Sequence, residues 1–104
     1  MAIISTFPSE ESLRQIAMEV VANRKICACV NYMKVKSLYK WQGKIEDCEE
    51  SLAIFKTTIQ HSEELKAEIK ARHPYEIPEV VELVMDDISD SYLTWMVKST
   101  NSGA

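Results

Sequence analysis

The residues of this chain that could take part in metal chemistry are three cysteines and two histidines. Cys27 and Cys29 are two positions apart, a spacing that places both side chains on the same face of a β-strand. Two thiolates on one face can bind a soft cation such as Cu(I) or Zn(II). The alternative is that both are small buried core residues, which is the common state of free cysteine and the interpretation we favour. Cys48 lies among acidic residues and is a weaker candidate.

The two histidines lie in different contexts. His73 precedes Pro74 in a predicted linker, where its imidazole could bind a metal or, when cationic, an anionic ligand. It could equally be a hydrogen-bonded residue that fixes the turn, and the sequence leaves these two roles open. His61 lies where a helix is expected to begin, and we expect its side chain to be solvated.

A further group of candidate residues is basic and aromatic. Lys56 lies at the end of a predicted strand and could line a cleft between subunits together with Tyr75 and Trp41. Such clefts are common ligand sites. The alternative is simple interface packing, which we favour because tyrosine and tryptophan are enriched at interfaces.

Composition excludes several functional classes. With only two glycines, the chain contains neither a dinucleotide-binding G-x-G-x-x-G turn nor a P-loop. The net charge of −4 has the wrong sign for a general nucleic-acid or anionic-membrane binder. Local spacing supplies no Ser/His/Asp or Cys/His set and no EF-hand loop. We therefore expect a protein that is not an enzyme and that binds neither nucleic acid nor membranes.

The cysteine count bears on the compartment. An odd number of cysteines without a C-x-x-C motif favours reduced thiols over a disulfide framework. The N-terminal residues do not have a signal-peptide pattern, and no run of 18 or more apolar residues occurs. We expect a cytoplasmic protein.

The elements that position these residues begin with a strand and a helix. Residues 2–7 are β-prone and end at Pro8, and Ser9 then offers a helix N-cap. The helix that follows has one apolar face, formed by Leu13, Ile16, Ala17, Val20 and Val21.

A long β-hairpin is predicted next. Apolar and lysine positions alternate in the second half of residues 26–41, which predicts a strand. Gln42 and Gly43 form a two-residue turn, and residues 44–57 form the second strand of the hairpin. This register places Lys36 opposite Glu49. Sixteen strand residues span about 50 Å, whereas a compact chain of this size has a radius of gyration of about 13 Å. Either the hairpin bends, or its end, with Tyr39 and Trp41, projects and packs on another subunit, which is the interpretation we favour.

The remaining elements complete the predicted topology. Ser62 is expected to cap a helix over residues 63–71, a strand is expected over 79–85, and Ser89 or Asp90 caps a short last helix. The order β-α-β-β-α-β with an added C-terminal helix is typical of the ferredoxin-like α+β sandwich. We expect a single domain over residues 1–98 and a frayed polar tail over 99–104.

Several motifs, in the same order along the chain, resemble those of the CutA family of divalent-cation tolerance proteins. They are Ala28-Cys29-Val30-Asn31, Ser37-Leu38-Tyr39-Lys40-Trp41-Gln42-Gly43-Lys44-Ile45, Phe55-Lys56-Thr57, His73-Pro74-Tyr75-Glu76-Ile77-Pro78-Glu79 and Tyr92-Leu93-Thr94-Trp95. The resemblance implies a tight homotrimer whose hairpins join edge to edge, an architecture similar to the PII signalling proteins. It also implies a role in tolerance of divalent metals, copper especially, without an established catalytic activity.

The family motifs also select a pair of candidate metal ligands. Cys29 and His73 each lie in one of them, and together they are the predicted site for copper or another divalent cation. Two ligands are too few for a closed tetrahedral site, so we expect weak binding and no obligatory cofactor. The leading hypothesis is a homotrimer that binds soft or divalent metal ions and contributes to metal tolerance. The alternative is a PII-like signalling or scaffold module that binds a small ligand or a partner in the cleft between subunits.

Overall fold

The computed structural model describes residues 1–100 of the chain, which form four strands and three helices. They follow the predicted β-α-β-β-α-β order with an additional C-terminal helix. Their bounds are β1 Ala2–Phe7, α1 Glu10–Met18, β2 Cys29–Trp41, β3 Lys44–Lys56, α2 Ile59–Arg72, β4 Val81–Leu83 and α3 Asp90–Ser99.

The four strands form one antiparallel sheet in the order β2-β3-β1-β4. β1 lies between β3 and β4, so that Ile3 is paired with Phe55 on one side and with Glu82 on the other. The two strands that α1 connects are therefore separated by a third strand, as in a split β-α-β unit. This topology confirms the predicted ferredoxin-like α+β class.

The core lies between α1, α2 and one face of the sheet. Side chains on a strand alternate between faces, so one face of β1 and β3 carries Ile3, Phe7, Ala53 and Phe55, all fully buried. The helices contribute their apolar faces to the same cluster through Leu13, Ile16, Leu65 and Ile69. The helices thus cover one face of the sheet, and the opposite face is available for a site.

The predicted start of α1 is confirmed, and the predicted start of α2 is wrong. The Ser9 hydroxyl caps α1 by accepting a hydrogen bond from the Ser12 N–H at 3.1 Å, as predicted. The predicted cap at Ser62 is wrong, because α2 begins one turn earlier at Ile59. The buried Ser62 hydroxyl instead donates to the Ile59 carbonyl at 3.1 Å, a local bond that serine makes inside a helix as well as at its start.

The start of β2 is also later than predicted. α1 continues as a π-helical turn over Glu19–Asn23, and the N–H groups of Ile26 and Cys27 both donate to the Val20 carbonyl at its end. Residues 26–28 are buried, but Ile26 and Cys27 are bonded to the helix while the Ala28 N–H donates to the Lys56 carbonyl at 2.9 Å, and the strand begins at Cys29. Cys27 does not lie on the strand, so the same-face argument for Cys27 and Cys29 is wrong.

The long hairpin has the predicted register and extends from the body of the molecule. Lys36 is paired with Glu49, and Gln42 and Gly43 both have positive φ angles, of 50° and 81°, as a two-residue I′ turn requires. The molecule measures 47 × 27 × 20 Å, which is elongated for a chain of this length. The end of the hairpin therefore extends beyond the helices.

The C-terminal elements differ from the predicted bounds. β4 covers only Val81–Leu83, three of the seven residues expected. Ser99 is the last residue of α3, and Thr100 is buried with its hydroxyl donating to the Met96 carbonyl at 2.8 Å. These two residues belong to the folded domain rather than to the predicted tail. Residues 101–104 of that tail lie outside the described part of the chain.

One buried hydroxyl in the core gives a stability prediction. Ser5 is fully buried, and its Oγ has no hydrogen-bond partner among the described residues. We expect Ser5→Ala to leave the free energy of unfolding unchanged or to raise it by up to about 1 kcal/mol, since the substitution removes an uncompensated desolvation cost. Chemical denaturation measures this change.

Thr57→Val is the matched control for Ser5→Ala. Thr57 is also fully buried, but its Oγ1 donates to the Ile26 carbonyl at 2.7 Å. Its replacement is expected to cost about 1 to 2 kcal/mol because the carbonyl loses a buried partner. Equal losses for the two variants would show that Ser5 has a partner in solution.

Candidate functional site

The face of the sheet opposite the helices carries the polar and aromatic residues of the long hairpin. Because Phe55 and Ala53 point towards the helices, the alternate positions of β3, including Glu50 and Cys48, point to the other side. The register places Glu50 opposite Val35 and Cys48 opposite Ser37 on this face. Tyr39 and Trp41 follow on the same face near the hairpin turn. We call this the open face of the sheet.

The segment after α2 crosses the open face and forms a pocket with the hairpin. The Tyr75 hydroxyl donates to Glu50 Oε2 at 2.6 Å, which attaches the segment to β3. Burial and this hydrogen bond raise the pKa of Tyr75 well above its usual range, so the phenol remains protonated. The pocket has a volume of about 620 Å³. Its lining residues come from β1, the hairpin and the segment after α2: Thr6, Ser37, Leu38, Tyr39, Trp41, Glu50, Tyr75, Glu76, Ile77 and Glu79. We call it the aromatic pocket.

His73 fixes the position of the segment that carries Tyr75. One ring nitrogen, Nδ1, accepts a hydrogen bond from the Tyr75 N–H at 3.1 Å, so the other, Nε2, carries the proton and donates to the Thr6 carbonyl at 2.8 Å. The ring also stacks on Phe7, with centroids 4.3 Å apart. Burial lowers the pKa of His73, which keeps the ring neutral. Both nitrogens are occupied, so of the two roles that the sequence left open, this geometry favours the structural one.

The structure does not bring Cys29 and His73 together. Cys29 pairs with Lys56, which pairs in turn with Ala2 at the start of β1, whereas His73 is bonded to Thr6 near the end of that strand. Four strand residues span about 13 Å, so one ion cannot contact both side chains of the same chain. Within residues 1–100, no three histidine, cysteine, aspartate or glutamate side chains converge as a metal site.

The three cysteines, all free thiols, differ in their surroundings. Cys27 is fully buried and lies near the Cys29 and Lys56 carbonyls, and burial raises the pKa of its thiol to about 12. Cys27 is therefore a buried core residue, as the favoured interpretation of the sequence predicts. Cys29 and Cys48 are half-buried, and the Cys48 thiol donates to the Tyr39 hydroxyl at 3.8 Å.

The surroundings of Cys27 predict its reactivity. We expect Cys27 to remain unmodified when the native protein is treated at pH 8 with a thiol reagent, because the thiolate is the reactive form and the thiol is inaccessible. Mass spectrometry of peptides locates the modified residues. The same treatment in denaturant must modify all three cysteines. Modification of native Cys27 at the rate found in denaturant would contradict its burial.

Lys56 does not belong to the aromatic pocket. Its ammonium group lies 5.9 Å from the centroid of the Tyr92 ring, on α3. Of the four residues predicted for the cleft or the subunit interface, the structure brings Tyr39, Trp41 and Tyr75 together and places Lys56 elsewhere. Glu50 was not among the predicted site residues, yet it is only 6% exposed. The predicted register contained the signal, since it places Glu50 on the face of Tyr39 and Trp41.

The sheet order, the projecting hairpin and the segment folded over its open face define a ferredoxin-like α+β protein with a single-chain pocket beside the hairpin. Comparisons with known proteins agree with this class. The family model of the CutA1 divalent ion tolerance protein matches residues 1–99. The chain belongs to the CutA1 family.

Individual relatives cover almost the whole chain. The divalent-cation tolerance protein CutA of Pyrococcus horikoshii is 38% identical over 98 residues, which cover 94% of this chain and 95% of the relative. The protein of the same name from Thermus thermophilus is 39% identical over 99 residues, which cover 94% of this chain and 95% of the relative. The solved structure of the periplasmic divalent cation tolerance protein CutA from Archaeoglobus fulgidus has a TM-score of 0.91 at 32% identity, covering 96% of this chain and 97% of that one. These names describe tolerance of cations and not an enzymatic reaction.

No helix within residues 1–100 combines the length and the apolar character needed to cross a bilayer.

Proposed function

We propose that this protein is a non-enzymatic homotrimer that contributes to tolerance of divalent cations. The observation that supports the assembly most directly is the apolar surface at the end of the hairpin. Leu38 is 72% exposed and Ile45 68% exposed, and the rings of Tyr39 and Trp41 are about 40% exposed. Apolar surface of this extent on a small chain is typical of an interaction site.

The two edges of the sheet support the same proposal. β2 and β4 are the edge strands, and both carry exposed apolar side chains, among them Met33 on β2 and Val81 and Leu83 on β4. Edge strands with apolar side chains pair readily with other chains unless they are covered. A closed ring of three subunits, with hairpins joined at their edges, removes this exposure.

The assembly is tested by the mass of the protein in solution. We expect light scattering to give three times the mass of one 11.9-kDa chain at micromolar concentration. The mass of a single chain would refute the proposal.

For the metal, we propose Cys29 as the contributing ligand of a weak copper site. Its thiol is half-buried and, within residues 1–100, makes a single long hydrogen bond of 3.6 Å, to Asn31 Oδ1; a thiolate suits soft cations. His73, by contrast, would have to give up a hydrogen bond to bind a metal. The remaining ligands would come from water or from another subunit.

Copper titrations of the wild type and of single variants test this site. We expect Cys29→Ser to weaken binding at least tenfold, since it removes the soft ligand. Cys48→Ser is the matched control and should bind as the wild type does, and so should His73→Ala where it remains folded. Identical isotherms for the wild type and Cys29→Ser would exclude Cys29 as a ligand.

A second candidate function is a PII-like module that binds a small ligand. The observation in its favour is the aromatic pocket, whose volume of about 620 Å³ lies in the range of small-molecule sites. A thermal-shift screen distinguishes the two functions, because only ligands that prefer the folded state raise its stability. Stabilisation by copper or zinc supports the first, and stabilisation by organic compounds supports the second.

For the compartment we propose the cytoplasm. The support is that Cys27, Cys29 and Cys48 form no disulfide, as expected in a reducing environment. The relative from Archaeoglobus fulgidus is named periplasmic, so cell fractionation is the direct test.

A further inference from the structure

The carboxylates of the aromatic pocket have no cation beside them. Glu50, Glu76 and Glu79 are among its lining residues, and no lysine, arginine or histidine of the described chain lines it. Glu50 is buried and accepts a hydrogen bond from the Tyr75 hydroxyl at 2.6 Å. Glu76 and Glu79 are exposed at the pocket rim, and neither forms an ion pair within residues 1–100. The charges of the rim are therefore compensated by solvent in the single chain.

Assembly of the proposed trimer removes this solvent. Tyr39 and Trp41 form the hairpin wall of the pocket, so a neighbouring copy that covers them also covers the rim. Desolvation of an unpaired carboxylate is costly, and a nearby cation offsets that cost. The neighbouring copy is therefore expected to bring positive charge to this surface.

The end of the hairpin carries two lysines without an acidic partner. Lys40 is paired with Ile45 and Lys44 with Trp41, so neither lysine faces a carboxylate across the two strands. Both are exposed, and both lie outside the ion pairs found in the described part of the chain. Adjacent cross-strand pairs point to opposite faces, so the end of the hairpin presents one lysine on each face.

The sheet edges place this end of the hairpin near the pocket rim of the next copy in the proposed ring. β2 is one edge of the sheet and β4 is the other, and Glu76 and Glu79 lie shortly before β4 in the chain. Antiparallel pairing is the commoner way for two strands to join. In an antiparallel junction of β2 with the β4 of another copy, the end of β2 near the turn lies beside the residues that precede Val81. Such a junction is head-to-tail, and its repetition can close a ring.

We propose that Lys40 and Lys44 of one copy pair with Glu76 and Glu79 at the pocket rim of the next, so that the end of each hairpin completes the neighbouring pocket. This inference rests on the proposed homotrimer and adds the charged residues that orient its subunits head to tail. It also requires that salt weakens the assembly, because ion pairs near the surface are screened.

Charge reversal tests the pairing. The variant Lys40→Glu with Lys44→Glu places like charges at every junction, and we expect its association to be about tenfold weaker or more. Reversal of the rim by Glu76→Lys with Glu79→Lys should have the same effect. All four substitutions in one chain restore opposite charges and should recover most of the lost association. Sedimentation over a dilution series at low salt measures each protein.

A milder variant gives a second measurement. Lys40→Gln with Lys44→Gln removes the two charges without adding repulsion, and it should lose most of the salt dependence that the association of the wild type shows. An unchanged salt dependence would refute the pairing.

The matched control for the reversed lysines is Lys25→Glu with Lys70→Glu. It makes the same change in net charge at two exposed lysines outside the hairpin, and its association should equal that of the wild type. Equal losses in the control and in the hairpin variant, or no recovery in the combined variant, would refute the pairing and leave the trimer in place. A wild type with the mass of a single chain would refute the proposed trimer and this inference with it.

Discussion

Replacement of Trp41 by alanine is expected to dissociate the proposed trimer into single chains at concentrations where the wild type remains assembled. Trp41 lies on the open face next to the hairpin turn, and 39% of its surface is exposed in the single chain. A tryptophan covered by a neighbouring subunit typically contributes about 2 kcal/mol or more, which corresponds to about a thirtyfold change in an association constant. The effect is repeated at every copy of the interface. Sedimentation or light scattering over a dilution series measures it.

Ile59→Ala is the matched control for Trp41→Ala. Ile59 is an even more exposed apolar residue, but it lies in the first turn of α2, at the opposite end of β3 from the hairpin turn. Its truncation should leave the dilution series unchanged. If Trp41→Ala stays assembled over the same dilution series as the wild type, Trp41 is not part of the interface.

The hairpin was the element best predicted from the sequence, because its signals are local. The alternation of apolar and lysine positions after Met33 and the Gln42-Gly43 turn determine the register, and Lys36 is indeed opposite Glu49. A two-residue turn allows little variation in register, and a shift by one residue would move every side chain to the other face. Local chemistry of this kind also identified Ser9 as the cap of α1.

The predictions are wrong where one local sequence pattern is compatible with more than one structure. Cys27 lies outside the strand because its N–H is bonded to the Val20 carbonyl at the end of the π-helical turn, which no short-range pattern indicates. Serine forms local bonds both at helix caps and within helices, so the sequence alone could not exclude Ser62 as a cap.

The candidate site combines local and distant effects. Tyr39 and Trp41 could be placed together from the hairpin alone. The burial of Glu50, however, depends on Tyr75, 25 residues further along the chain, whose hydroxyl is bonded to its carboxylate. The position of Tyr75 in turn depends on the contacts of His73 with β1. Pairing of this kind is a property of the folded chain.

His73→Ala is expected to lower the free energy of unfolding by about 2 to 3 kcal/mol and to loosen the wall of the aromatic pocket. The variant loses the stacking on Phe7 and leaves the Thr6 carbonyl and the Tyr75 N–H without their partner. Urea denaturation at pH 7.5 and at fixed protein concentration measures the loss. His61→Ala, which removes the other histidine of the chain from the first turn of α2, is the matched control and should cost little.

His73 should also make the stability of the protein depend on pH. Burial lowers the pKa of its imidazole in the folded state, partly opposed by the hydrogen bond to Thr6 and by the charge of Glu50. The unfolded chain therefore takes up the proton first, at a pKa of about 6.5. The contribution of neutral His73 is complete above that pH and is lost as the pH falls from there through the folded-state pKa. Denaturation midpoints between pH 7.5 and 5.5 should accordingly decrease for the wild type and for His61→Ala but much less for His73→Ala, and parallel curves for all three proteins would show that another group titrates.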